Sequence, residues 1–206
     1  GCGENKRKNH RSKRTERWNT EMVYILLGSG FEEAEALVTA DVLRRADVPV
    51  TLAGIGGELI TGAHGIAVRA DAPVESVKLK EDDMVVLPGG MGGVASIEGS
   101  GPAMALIRQA GTDVRLRLAA ICAAPTLLAR ARLLAPGVRA VCYPGMEGEL
   151  IEAGAVPAMD QPVVIQGRLV TGRGPGAAFD FGLALVGELT GADAAQRVRA
   201  GLHYPS

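Results

Sequence analysis

From residue 22 onward the chain alternates short, continuously apolar runs with segments whose apolar positions recur every three or four residues. Residues 22–27 are all apolar and stop at Gly28-Ser29-Gly30, the mark of a strand buried on both faces and of the turn that ends it. Residues 32–46 place Ala34, Leu37, Val38, Val42 and Leu43 on one helical face, with Glu in the first turn and Arg44 and Arg45 in the last, as the helix dipole favours. Residues 48–53 predict a second strand, and residues 60–71 short β-prone pieces broken by Gly62 and Gly65. Residues 83–87 predict a buried strand halted by Pro88-Gly89-Gly90, after which a helical period resumes over 102–109.

Residues 116–121 predict a strand that delivers Cys122, followed by a helix over 124–134 with Pro125 in its first turn. A further buried strand is expected over 139–142, a hairpin centred on Gly167 over 162–172, and closing helices over 178–190 and 194–200. This order implies an α/β domain with a mainly parallel sheet covered on both faces. Sites in such folds gather at the carboxyl ends of strands, here the loops 28–35, 88–94 and 121–125.

Composition agrees with a packed interior: 47% of the 206 residues are hydrophobic and only 3% aromatic, so aliphatic side chains must fill it. No apolar run approaches the roughly 18 residues needed to cross a bilayer, so a soluble protein is expected, without membrane attachment. Three scattered cysteines, Cys2, Cys122 and Cys142, make neither a disulfide framework nor a zinc pair, which points to a reducing cytoplasm and to no metal or cofactor. Residues 1–21 carry seven Lys/Arg against three Asp/Glu and almost nothing apolar. They are expected to form a disordered basic tail, an addition outside the domain of 22–206, and nucleic acid is expected to bind only there. The remaining body, with 15 basic and 20 acidic residues, has no electrostatic reason to bind nucleic acid.

Cys122 follows a buried strand and precedes a helix, which sets its sulfur near unpaired backbone N–H groups and the positive end of a dipole. An ordinary thiol titrates near about 8.5, and such settings lower it, so a thiolate is expected. By its apolar surroundings alone, however, a lone cysteine such as Cys122 reads first as an inert core residue. Cys142, in an apolar run, reads as core.

Four motifs change that balance: AAICAAPTLLA around Cys122, GFEEAEAL after the first strand, VVLPGGMGG over 85–93, and TGRGPGAAFDFGLALV from Thr171. Together, and in this order, they resemble the ThiJ/PfpI superfamily, specifically its bacterial DJ-one branch. The resemblance implies a flavodoxin-like three-layer sandwich with a nucleophile-elbow cysteine at Cys122, contacted by a protonated Glu35. It also implies an oxyanion hole from the backbone N–H groups of Gly90 and Ala123, and a substrate pocket touching Gly89, Gly174 and Pro175. Glu32 and Glu33 are then expected to be surface or helix-start acids.

Many members of the superfamily carry a histidine general base where this chain has Tyr143, so a Cys-His-Glu triad and the peptidase or amidotransferase chemistry it serves are not expected. His64 is the remaining candidate histidine inside the body and is placed with the pocket residues. The resemblance implies a cofactor-independent glyoxalase or protein deglycase acting on a small carbonyl or a glycated protein in stress protection, as a homodimer. The rival expectation is a redox sensor or chaperone in which Cys122 is oxidised without turnover.

Overall fold

The computed structural model describes residues 21–205. Of the disordered tail expected over residues 1–21, residues 1–20 lie outside them. Glu21 belongs to the ordered body, its carboxylate 3.7 Å from the guanidinium of Arg117.

In chain order the strands are β1 (Val23–Leu27), β2 (Val50–Gly54), β3 (Leu59–Thr61), β4 (Ala67–Arg69), β5 (Ala72–Pro73), β6 (Met84–Leu87), β7 (Arg117–Ile121), β8 (Arg139–Ala140), β9 (Val156–Pro157), β10 (Val163–Gln166) and β11 (Leu169–Gly172). The helices are α1 (Glu33–Arg45), α2 (Met91–Glu98), α3 (Gly101–Thr112), α4 (Ala124–Arg130), α5 (Glu147–Glu152), α6 (Ala178–Thr190) and α7 (Ala192–Gly201). Seven strands make the main sheet in the order β10-β11-β7-β6-β1-β2-β5, parallel except for the antiparallel β10–β11 pair.

Strand alternation divides the interior in two. Val23, Ile25 and Leu27 of β1, with Met84 and Val86 of β6, face one core that Val42 and Leu43 of α1 and Phe181 and Leu185 of α6 complete. Leu26, Val85 and Leu87 face the opposite core with Ile107 of α3 and Leu127 of α4. The result is a three-layer sandwich, as the β-α alternation predicts. Chain order reverses about β1, with β2 on one side and β6 on the other, so the loops after β1, β6 and β7 meet at one carboxyl edge.

Three expectations are corrected. Residues 88–94 were expected as loop, but α2 starts at Met91, and its glycines let it press against backbone: a Cβ on Gly93 would lie 2.6 Å from Phe31 Cα. The strand expected over 139–142 is only Arg139–Ala140, and it pairs with β9 outside the main sheet. The amide of Val141 donates to the Thr171 side chain at 3.0 Å, so a hydroxyl takes the place of a ladder bond. The helix expected over 124–134 ends at Arg130, and Arg132 adopts a φ of 59°, which a right-handed helix cannot continue through. The hairpin turn falls at Gly167, whose φ is 62°.

Candidate functional site

Cys122 occupies the single residue between β7 and the N-cap of α4, Ala123. Its φ of 68° is a left-handed conformation that costs a residue with a Cβ about 1–3 kcal/mol. Main-chain bonds on both sides hold it there. Its N–H donates to the Gly172 carbonyl of β11 at 2.9 Å, and its carbonyl accepts the Tyr143 N–H at 2.8 Å. The sulfur is thereby turned toward the edge of the sheet, 9% of the residue remains exposed, and the amides of Ala123 and Gly90 point at the sulfur.

Glu35 reaches the same place from the first turn of α1 and is almost wholly buried. Its Oε1 accepts the Gly89 N–H at 2.8 Å, and its Oε2 has no hydrogen-bond partner among the described residues. A Cβ on Gly89 would lie 2.6 Å from Glu35 Oε1, 2.5 Å from Cys122 Cβ and 3.1 Å from Cys122 Sγ. Carboxyl group and sulfur therefore face each other across a gap that only a glycine leaves open. Gly90, at φ 85°, caps α2 and abuts the Gly30 carbonyl, 2.5 Å from where a Cβ would stand.

Burial pushes the Glu35 carboxyl up to about 7, with the charge of Glu32 adding to it, against the hydrogen bonds from Gly89 and Cys122. Burial, and then the neighbouring carboxylate, push the Cys122 thiol up to about 12, against the amides of Ala123 and Gly90. The expectation of a thiolate set by backbone dipoles is corrected accordingly: loss of hydration outweighs the two amides. Between those two titrations the pair holds one proton, and its transfer from sulfur to Glu35 makes a nucleophile without changing the net charge of the pocket.

Tyr143, Gly174 and Pro175 line a cleft beside this turn, with the Tyr143 ring 3.4 Å from where a Gly174 Cβ would stand. His64 is not brought to the sulfur. It lies in the β3–β4 turn, exposed, with Nδ1 2.9 Å from Glu33 Oε2. Glu32 caps α1, its side chain accepting from the Ala34 N–H, as a helix-start acid should.

Glu33 corrects the sequence reading: it is buried, and its Oε1 accepts the backbone N–H groups of His64 at 2.7 Å and Ile66 at 3.4 Å. Burial alone would raise that carboxyl, yet the His64 ring and these amides hold it down at about 2. Glu33 thus anchors the β3–β4 turn to α1. Glu32, Glu33 and His64 bring ligand atoms within 4.8 Å of one another, a grouping that the His64–Glu33 hydrogen bond and the 3.7 Å approach of Glu32 to the His64 ring already explain. Cys142 is fully buried core. Among the described residues no helix is long and apolar enough to cross a membrane.

The DJ-1/PfpI family profile matches residues 21–188. The chain is 39% identical to Drosophila melanogaster protein dj-1beta over 179 residues, which cover 86% of this chain and 94% of that protein. A nematode relative, the Caenorhabditis elegans glutathione-independent glyoxalase, is 34% identical over 160 residues, 78% of this chain and 83% of its own. The crystal structure of Drosophila DJ-1beta superposes with a TM-score of 0.81 at 37% identity, over 90% of this chain and 99% of that one. A DJ-1 superfamily protein of Salmonella typhimurium gives 0.81 at 33%, over 90% of this chain and all of its own, so the matches do not single out a bacterial branch.

Proposed function

Because the chain belongs to the DJ-1/PfpI family, we propose that it is a cysteine-dependent, cofactor-independent enzyme of reactive carbonyls, converting 2-oxoaldehydes to 2-hydroxy acids. The observation that carries this reading is the facing of Cys122 and Glu35 across Gly89. A carboxylate lifted to about 7 is a base matched to neutral pH.

Glu35 takes the thiol proton as sulfur adds to the aldehyde carbon, and the new alkoxide receives the Gly90 and Ala123 amides. The protonated Glu35 returns its proton to that oxygen, giving a hemithioacetal. Proton removal from the former aldehyde carbon and protonation at its neighbour oxidise the first and reduce the second, leaving a thioester. Water cleaves it and frees the thiol. One water is consumed, and no external oxidant or reductant is needed. Attack on an early glycation adduct of a protein, the deglycase form of the reaction, begins with the same addition. A homodimer is part of the proposal, read by light scattering on the purified chain.

Methylglyoxal conversion to lactate is the test: wild type turns over, and Cys122→Ser, folded equally well, does not. No turnover in wild type, or turnover surviving in Cys122→Ser, overturns the reading.

A second reading rests on the unpartnered Glu35 Oε2. Two equivalents of peroxide carry a thiolate through sulfenate to sulfinate, each releasing water or hydroxide, and on this reading a protonated Glu35 donates to a sulfinate oxygen. Stoichiometric sulfinate on Cys122 at low peroxide, with no carbonyl turnover, selects this redox role instead.

A further inference from the structure

A cleft of about 180 Å³ opens beside the Cys122 turn, walled by Tyr143, Pro144, Arg173, Gly174 and Pro175. Backbone bonds tie both walls to the cysteine. Tyr143 hangs from the Cys122 carbonyl, and Arg173 directly follows Gly172, whose carbonyl holds the Cys122 N–H. The cleft is small beside the roughly 300–1,000 Å³ of drug-sized pockets and suits a molecule of a few carbons.

Arg173 is half-buried in that wall. Its backbone N–H donates to Pro162, and its Nη1 donates to the Met159 carbonyl at 3.2 Å. Arg130 and Arg168 are paired with carboxylates, whereas none lies within ion-pairing distance of Arg173 among the described residues. A guanidinium has five N–H donors in a planar fork that fits a carboxylate, and one carbonyl leaves most of them unused. Acids stand beside the sulfur, Glu35 against it and Glu32 close to Glu35. An anionic substrate approaching Cys122 meets that negative charge and is helped by a cation near the turn.

Resting on the carbonyl reading, we infer that Arg173 forms an anion subsite and that the favoured substrates are small 2-oxoaldehydes ending in a carboxylate. The aldehyde meets Cys122 while the carboxylate lies along the cleft to the guanidinium. This makes Arg173 a specificity residue, acting on the remote end of the substrate.

Two competitions test it on the full chain. In the first, kcat/KM is measured for 4,5-dioxopentanoate, which carries a carboxylate, and for methylglyoxal, which does not. In the second, the Cys122 alkylation rate is compared for iodoacetate and iodoacetamide, which requires no turnover. Arg173→Gln is expected to lower both anion-to-neutral ratios about fivefold or more, as loss of a charged hydrogen-bond partner in a half-buried site does. Arg173→Lys, which keeps the charge, is expected to hold both ratios closer to wild type, separating charge from any loss of folding. Ratios unchanged in Arg173→Gln overturn the subsite. Failure of both aldehydes to react overturns the carbonyl reading, while the alkylation ratio still decides the subsite by itself.

Discussion

Glu35 and Cys122 come from opposite halves of the chain and meet across the missing side chain of Gly89. One carboxylate oxygen is fixed by the Gly89 N–H, while the other has no hydrogen-bond partner among the described residues. That asymmetry, in a nearly dry pocket, governs how the pair handles protons.

The reactivity of Cys122 should follow Glu35 more than the thiol's own titration. As pH rises through about 7 the carboxyl ionises and becomes able to accept the thiol proton, so the iodoacetamide rate should climb there. In Glu35→Gln that rise should vanish, with the neutral-pH rate down about a hundredfold and only an alkaline limb left. An unchanged profile in Glu35→Gln would show that the carboxylate is not the base.

The same residue should cost stability. Its carboxyl titrates higher in the folded protein than when unfolded, so its contribution is most favourable at low pH and is lost as pH rises through about 7. Glu35→Gln keeps the acceptor for Gly89 without the buried charge. Its gain over wild type should approach about 3 kcal/mol at pH 8 and disappear near pH 4, read from urea unfolding at the two pH values.

Neighbouring glycines should fail differently. Gly89→Ala drives a methyl group between sulfur and carboxylate and should reduce methylglyoxal turnover about a hundredfold or more, the scale of a lost general base. Gly90→Ala places a Cβ at positive φ and against the Gly30 carbonyl, so its main effect should be a lower melting temperature, a loss of about 2 kcal/mol or more.

Glu33 should behave oppositely to Glu35 in acid. Its carboxyl is held at about 2, so its stabilisation is present above the ordinary carboxylate range and fades as pH falls toward 2. Glu33→Ala leaves the His64 and Ile66 amides unpaired. Hydrogen exchange at those two amides should speed up at neutral pH, with a stability loss of about 1–3 kcal/mol, and wild type should approach the variant in strong acid.

Strands β1 and β6, in the middle of the main sheet, were legible because burial on both faces writes uninterrupted apolar runs, and α1 because its stripe and terminal charges agree. Residues 139–142 have an equally apolar run, but Ala140, Val141 and Cys142 are buried beneath other elements, and apolarity does not say which strand, if any, is the neighbour. The start of α2 was hidden by Gly92 and Gly93, poor helix formers on their own account and required here for contact with the loop after β1. At the candidate site, the place of Cys122 between a strand and Pro125 was visible, but giving it a role, like singling out Glu35 among three neighbouring acids, needed the family resemblance. Nothing in a local pattern reveals that Glu33 is buried, since its partners lie thirty residues away in a turn. The thiol's raised titration was missed for a related reason: backbone dipoles can be inferred from neighbours in sequence, but dehydration depends on the whole fold.

Clamped at its amide by Gly172 and at its carbonyl by Tyr143, residue 122 has little freedom to shift its main chain when something becomes attached to the sulfur. Accommodation must come from rotation of the short side chain and from whatever room already exists around it. On the carbonyl reading, slender adducts at the thiol are therefore expected to form more readily than bulky ones.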